Sequence, residues 1–461
     1  MSRQDPPSIR RERLRKIHQV VLGCAVGLLF ILGVEAILAI DRGAEVRLFD
    51  ISSSDRWSMV LSDGRDRVKI KSRGDVEVLE DGPIPSLDIA EGGVLRIDAR
   101  LDGERRRLEA RGTVDGVTYD YRVDGDRRDL GEEGRRWLGD ILIEALRDGG
   151  IQAKERAIRI FEEGGPDALD VELALISSEE TRGRYLIAAL DTDPPAADLA
   201  TLIALAQRRL DGDYPLISIL SSVSPPALRD GAVAEAYFAA VRSLGADHAK
   251  GRLLSHAVEA DLGDRWPSFF RAADAIHSDH EAASLVVEYA GLGRTDAPEG
   301  LLRFVKGIES DHLQRRAVEA LFQSPLDPAG RDALLAAAAD DLSSDHEATR
   351  LLVFHAGAGG GVSPGALALL RTIDSDHDQG RAAGALAETA AAEDLATVVR
   401  ALSIESDHVL AQMLLELRGR AGDGGPELRR AVEAAAAGLD DDNARRRVDG
   451  AWGLDGRSAE P

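Results

Sequence analysis

Residues 276–312 read IHSDHEAASLVVEYAGLGRTDAPEGLLRFVKGIESDH, one full period bounded by two copies of the same tripeptide. Ser-Asp-His stands at 278–280, 310–312, 344–346, 375–377 and 406–408, and Ala246-Asp247-His248 is a near match. Degenerate copies stand at Glu179, at Asp213 and, by spacing, near Asp440. The steps between these markers are 34, 34, 32, 32, 34, 31, 31 and 33 residues. Such a period marks a repeat architecture, in which one unit cannot bury its apolar face alone and must stack on its neighbours.

Every copy has the same grammar. A helical stretch ends in an aliphatic residue (Ile276, Ile308, Leu342, Ile373, Ile404), a turn follows, and a second helix begins. Counted from the turn Asp, positions +6, +7 and +10 are mostly apolar or small: Leu285, Val286 and Tyr289 in one copy, Met413, Leu414 and Leu417 in another. The period holds two helices of about three turns and two short loops. The expectation is an α-solenoid of eight or nine helical hairpins over residues 129–440, followed by a polar tail over 441–461.

Six histidines at one repeat position invite a metal reading. A zinc ion needs three or four ligands within about 2 Å, whereas stacked helices set equivalent side chains about 10 Å apart. The pairs Asp247/His248, Asp279/His280, Asp311/His312, Asp345/His346, Asp376/His377 and Asp407/His408 are therefore read as structural turn positions. Ser or Asp caps the second helix and His fills its first turn. Neither a metal nor a cofactor is expected.

The turn Asp, an Arg five residues further on (Arg184, Arg252, Arg316, Arg350, Arg381) and the Ala/Leu-rich helix pairs resemble HEAT-type repeats in their shorter form. That resemblance implies a polar ladder of turn Asp and helix Arg between neighbouring copies. The tetratricopeptide and ankyrin signatures are missing.

Upstream, the period changes from helical to two. Trp57-Ser58-Met59-Val60-Leu61, Val68-Lys69-Ile70-Lys71, Val94-Leu95-Arg96-Ile97 and Val117-Thr118-Tyr119-Asp120-Tyr121 alternate between turn signals such as Asp102-Gly103 and Asp124-Gly125. This predicts a small antiparallel β domain over 44–128, with one wet and one buried face. Trp137, Leu138, Ile141, Leu142, Ala145 and Leu146 then predict a linking helix at the start of the solenoid. Through the stretches SDGRDRVKIKSRGDVEV and GRRWLGDILIEALRDGGIQAKERAIRIFEEGG, residues 52–190 also resemble the extracytoplasmic region of some BlaR-like membrane regulators with metallopeptidase domains. The chain departs from these in carrying no His-Glu-x-x-His, so no peptidase activity is implied.

The N-terminus adds location. A basic tail over 1–16 precedes an almost uninterrupted apolar run from Val20 to Ile40, long enough to span about 30 Å of hydrocarbon. Residues 17–40 are read as a single-pass anchor in a bacterial inner membrane, with the body in the periplasm or outside. The alternative is secretion after signal cleavage at Ala36 or Ala39. Gly23 and Gly27 form a GxxxG on one helix face, a candidate homodimer contact. The whole fold is therefore expected to be α+β: an N-terminal transmembrane helix, a small antiparallel domain and a solenoid.

Charge narrows the partners. With 81 acidic and 57 basic residues the formal net charge is −24, which repels phosphate backbones and anionic headgroups, so no nucleic acid is expected. The leading expectation is a non-catalytic scaffold for a basic protein partner; the runner-up is an envelope sensor. An enzyme comes third. Gly361-Val362-Ser363-Pro364-Gly365 matches Gly-x-Ser-x-Gly, but that motif needs a strand before the serine. Ser363 reads instead as a helix cap, with Pro364 at the first helical position.

Overall fold

The computed structural model describes residues 48–53, 56–62, 66–80, 82–260, 262–293, 300–421 and 425–454. The expected anchor at 17–40, its basic flank and the Gly23/Gly27 pair lie outside these residues. Among the described residues no helix is long and apolar enough to cross a membrane. Two compact units divide the chain, one of residues 1–153 with 175–181, the other of 154–174 with 182–461.

The first unit is a meander. Strands β1 (Leu48–Ser53), β2 (Arg56–Ser62), β3 (Arg67–Arg73), β6 (Val94–Leu101), β7 (Glu104–Thr113), β8 (Gly116–Val123) and β9 (Asp126–Arg128) form one antiparallel sheet in that order. The hairpin of β4 (Val76–Leu79) and β5 (Ser86–Ile89) is inserted between β3 and β6 as a separate two-stranded sheet. Register follows from turn chemistry. Asp102-Gly103 and Asp124-Gly125 take φ of 50° and 86°, and of 48° and 100°, the left-handed pairs that close two-residue hairpins with the sheet's own twist.

Alternation then sorts the side chains. Val68, Ile70, Leu95, Ile97, Leu108, Ala110 and Tyr121 are buried, while their sequence neighbours face the other way. Helix α1 (Glu132–Arg147) covers the buried face with Trp137, Leu138, Ile141, Leu142, Ala145 and Leu146. The Trp137 ring lies 5.5 Å from Tyr121. The helix expected to open the solenoid therefore belongs to the β unit, because one half-buried sheet of this size needs a second apolar layer.

The second unit is built of helical hairpins. Second helices begin at Glu179, Asp213, Asp247, Asp279, Asp311, Asp345, Asp376, Asp407 and Asp442, so eight of the nine sequence markers are helix starts. Glu179–Thr181 themselves cluster with the first unit. First helices pack on neighbouring first helices and second on second, the stacking a repeat requires. Leu285, Val286 and Tyr289, and Met413, Leu414 and Leu417, are buried as their spacing predicted. An aromatic block through Tyr237, Phe238, Trp266, Phe269, Phe270 and Tyr289 fills hairpins otherwise packed by Ala and Leu.

The marker near Asp440 also precedes a helix: Asp442–Trp452 is capped by Asp441, so the polar tail expected over 441–461 is helical as far as Trp452. Trp452 is buried and its indole Nε1 donates to the Leu414 carbonyl at 2.9 Å, so this helix packs on the second helix before it.

Candidate functional site: the Ser-Asp-His edge

Each residue of the tripeptide has a separate task. The serine is the cap in three copies: Ser278, Ser344 and Ser375 stand at N-cap in extended geometry, and each hydroxyl accepts from the amide three residues on. Ser310 holds the same position without a side-chain cap bond. The Asp is the first helical residue, and its carboxylate is spent on the next repeat. Asp279 accepts from the amides of Glu309 and Ser310 at 3.1 and 2.8 Å. Asp345 accepts from Asp374 and Ser375 at 3.2 and 2.7 Å, and Asp376 from Glu405 and Ser406 at 2.9 and 2.8 Å. Asp213, Asp247, Asp311 and Asp407 reach the corresponding turns at Gly245, His277, Ser344 and Asp440.

One carboxylate per repeat thus satisfies the unpaired amides at the following helix start, where the helix dipole also favours negative charge. This arrangement differs from the Asp–Arg ladder implied by the HEAT resemblance. The acceptor is the turn Asp, but the donors are backbone amides. Arg252, Arg316, Arg350 and Arg381 are exposed on the helices instead.

The histidine has no comparable duty. His248, His280, His312, His346, His377 and His408 are all exposed. Only His312 meets described partners, with Arg315 Nη2 at 3.3 Å and Glu347 Oε1 at 3.7 Å. Among the described residues no cluster of three His, Cys, Asp or Glu could hold a metal ion. Glu309, Asp374 and Glu405 are exposed beside the same turns, so the edge presents imidazoles among carboxylates.

Polar groups that sequence reasoning missed sit one turn deeper. Lys250 is buried, with Nζ 3.0 Å from Asp247 Oδ1 and 2.7 Å from the Ala275 carbonyl. Burial alone would raise the Asp247 pKa, but the Lys250 ammonium and the His277 and Ser278 amides outweigh it and hold the carboxyl low. Gln379 is buried and binds the Leu370 and Ile373 carbonyls and both the amide and hydroxyl of Ser403. Buried Arg315 pairs with Glu319 and with Glu347 of the next hairpin. The signal was available: all three lie three or four residues after the turn Asp, on the inward side of a helix whose other inward positions are apolar.

The serine of Gly-x-Ser-x-Gly stands at a helix start. Ser363 is the N-cap of helix Pro364–Arg371, accepting from Ala366 at 3.2 Å, and a helix and loop precede it. His355 is buried and points to the Gly361 carbonyl at 3.0 Å. Burial lowers its pKa.

The second charged surface is on the β unit. Outward positions of β3, β6, β7, β8 and β9 carry eleven Lys or Arg side chains against Asp98, Glu109 and Asp120. The net charge of the chain concealed this local basic face.

No protein-family model matches this sequence, and no curated protein matches it. Neither the HEAT nor the BlaR-like resemblance gains support from these comparisons.

Proposed function

We propose that the hairpin array is a HEAT-like, non-catalytic scaffold held outside the cytoplasm by residues 17–40, and that its Ser-Asp-His edge takes a basic protein partner. One observation carries the reading. Ser caps and Asp clamps, so the fold already has what it needs from the turn, yet an exposed His recurs at the next position in six consecutive hairpins. The clamps fix the phase of that column, and exposed carboxylates beside it supply a field suited to cationic side chains. Repeat surfaces of this kind bind by multiple weak, regularly spaced contacts.

The test places a photo-crosslinking residue at His280, His346 and His408 of the full chain in its native membrane. One basic protein recovered from adjacent positions, with yield falling at high salt, supports the reading. An empty edge, beside crosslinks from the first-helix side such as Arg303, would sink it.

A further inference from the structure

We infer that the outward face of the β sheet is a docking surface for anionic phospholipid headgroups, an inference that rests on the reading of residues 17–40 as an anchor. The face is basic beyond what its own carboxylates offset. Asp98 pairs with Arg105 and Arg107, Glu109 with Arg96 and Arg111, and Asp120 with Arg122 and Arg127. Arg67, Lys69, Lys71, Arg73 and Arg100 have no ion pair with any described residue. The register sets like charges directly opposite one another: Arg67 faces Arg100, Arg100 faces Arg105, and Lys71 faces Arg96. Like charges directly opposite destabilise a sheet, and a bound anion would relieve them where Asp98 and Glu109 do not. Two shallow depressions open on this face, one where Lys69, Lys71, Arg96, Arg107 and Arg122 surround Asp98, Glu109 and Asp120, the other where Arg67, Lys69, Arg100 and Arg105 surround Asp98 alone.

Segregation is the second observation. Residues 48–128 contain fifteen Lys and Arg and eighteen Asp and Glu, so this segment is not basic overall. Eleven of the fifteen cations stand at outward positions of β3 and β6 to β9, against three of the eighteen acids.

Position selects the occupant. The apolar run ends at Ile40 and β1 begins at Leu48, so the chain between them reaches at most about 28 Å. Anchored that closely, the sheet samples the headgroup layer at high effective concentration. A free polyanion lacks this tether and meets a chain of net charge −24. At an anionic surface each Lys or Arg strengthens adsorption about fivefold.

Lys69 and Lys71 are two of only six lysines, which makes the face readable without mutation. The full chain is reconstituted in nanodiscs of phosphatidylcholine, with or without about one-third phosphatidylglycerol, and acetylation of each lysine is followed by mass spectrometry. Lys69 and Lys71 should label about fivefold more slowly in the anionic discs, with Lys306 unchanged, and high salt should erase the difference. Equal labelling in both discs overturns the inference. Protection that appears without anionic lipid and grows with protein concentration also overturns it, in favour of the acidic helices of a second copy. The anchor is read separately, as resistance to alkaline carbonate extraction from phosphatidylcholine vesicles. Resistance with equal labelling leaves the anchor standing and the headgroup contact refuted. Extraction with slowed labelling on anionic vesicles removes the anchor and keeps the contact.

Discussion

Replacing Asp345 by Ala should loosen the turn of the following repeat while leaving its own helix folded. The Asp345 carboxylate accepts from Asp374 at 3.2 Å and Ser375 at 2.7 Å. A hydrogen bond to a charged acceptor contributes about 1.5–3 kcal/mol net. Asp374 is exposed and Ser375 half-buried, so water recovers part of the loss. That leaves about 2–3 kcal/mol for the pair. Within the same tripeptide, Ser344→Ala removes a long cap bond of 3.4 Å and costs about 0.5–1 kcal/mol. His346→Ala removes an exposed side chain and should stay within about 0.5 kcal/mol. Because repeats couple mainly to neighbours, global unfolding need not be two-state, and local amide hydrogen exchange is the better assay. Asp345→Ala should speed exchange across residues 372–378 by about 30- to 150-fold, and Asp345→Asn, which keeps one acceptor oxygen, by less. If His346→Ala has the larger effect, the clamp is not what joins the repeats. Acceleration confined to helix Asp345–Gly357 would equally refute it, because the carboxylate would then act only through its own helix dipole.

Three further outcomes follow from individual groups. Lys250→Met deprives Asp247 of its buried partner and should destabilise the chain by about 2–3 kcal/mol, less than a fully buried pair because Asp247 is partly exposed. The lowered Asp247 pKa contributes stability present above about pH 4 and lost as pH falls through the folded-state value. The same variant should therefore raise the acid-unfolding midpoint, read by circular dichroism. His355 behaves as a buried neutral base: stability is complete above about pH 6.5 and declines as pH falls toward its lowered folded-state value. His355→Leu should flatten that part of the stability–pH curve. Ser363→Ala should cost about 1 kcal/mol of local stability as a lost cap, measured by exchange in helix Pro364–Arg371. Loss of an ester- or peptide-hydrolysing activity in that variant would contradict the capping role.

Much of the fold was legible because two periods are hard to disguise. The 31- to 34-residue recurrence located eight second helices to the residue, since the marker Asp or Glu is where each helix starts. Alternation and Asp-Gly turns located most of the main sheet. What local pattern could not carry was pairing across distance. Helix α1 has the periodicity of any amphipathic helix, and nothing in its own residues says whether Trp137 lies on a sheet or on another hairpin. The β5 strand, Ser-Leu-Asp-Ile, is too short to rise above a loop that also holds Pro83 and Pro85. Helix Asp442–Trp452 was signalled only by the marker spacing near Asp440, because its composition is polar and its burial rests on Ala444, Val448 and Trp452.

The site was half legible for a related reason. Spacing argued against a shared metal ion but could not divide the labour among three adjacent residues, since Ser and Asp are both competent caps. Geometry divides it. An Asp at the first helical position points its carboxylate away from its own amides and across the stack, while a Ser one residue earlier is placed to cap. The histidine is then the only member of the motif whose recurrence the described packing does not require. The same logic applies to the sheet. Alternation announced a wet face, and only the register, which sets Arg67 against Arg100 and Arg100 against Arg105, shows that this face accumulates a charge its own carboxylates do not balance. In both places the residues left over after folding has been accounted for are the exposed ones, and their opposite charge is what distinguishes the two partners proposed for them: cations at the Ser-Asp-His edge, anions at the sheet.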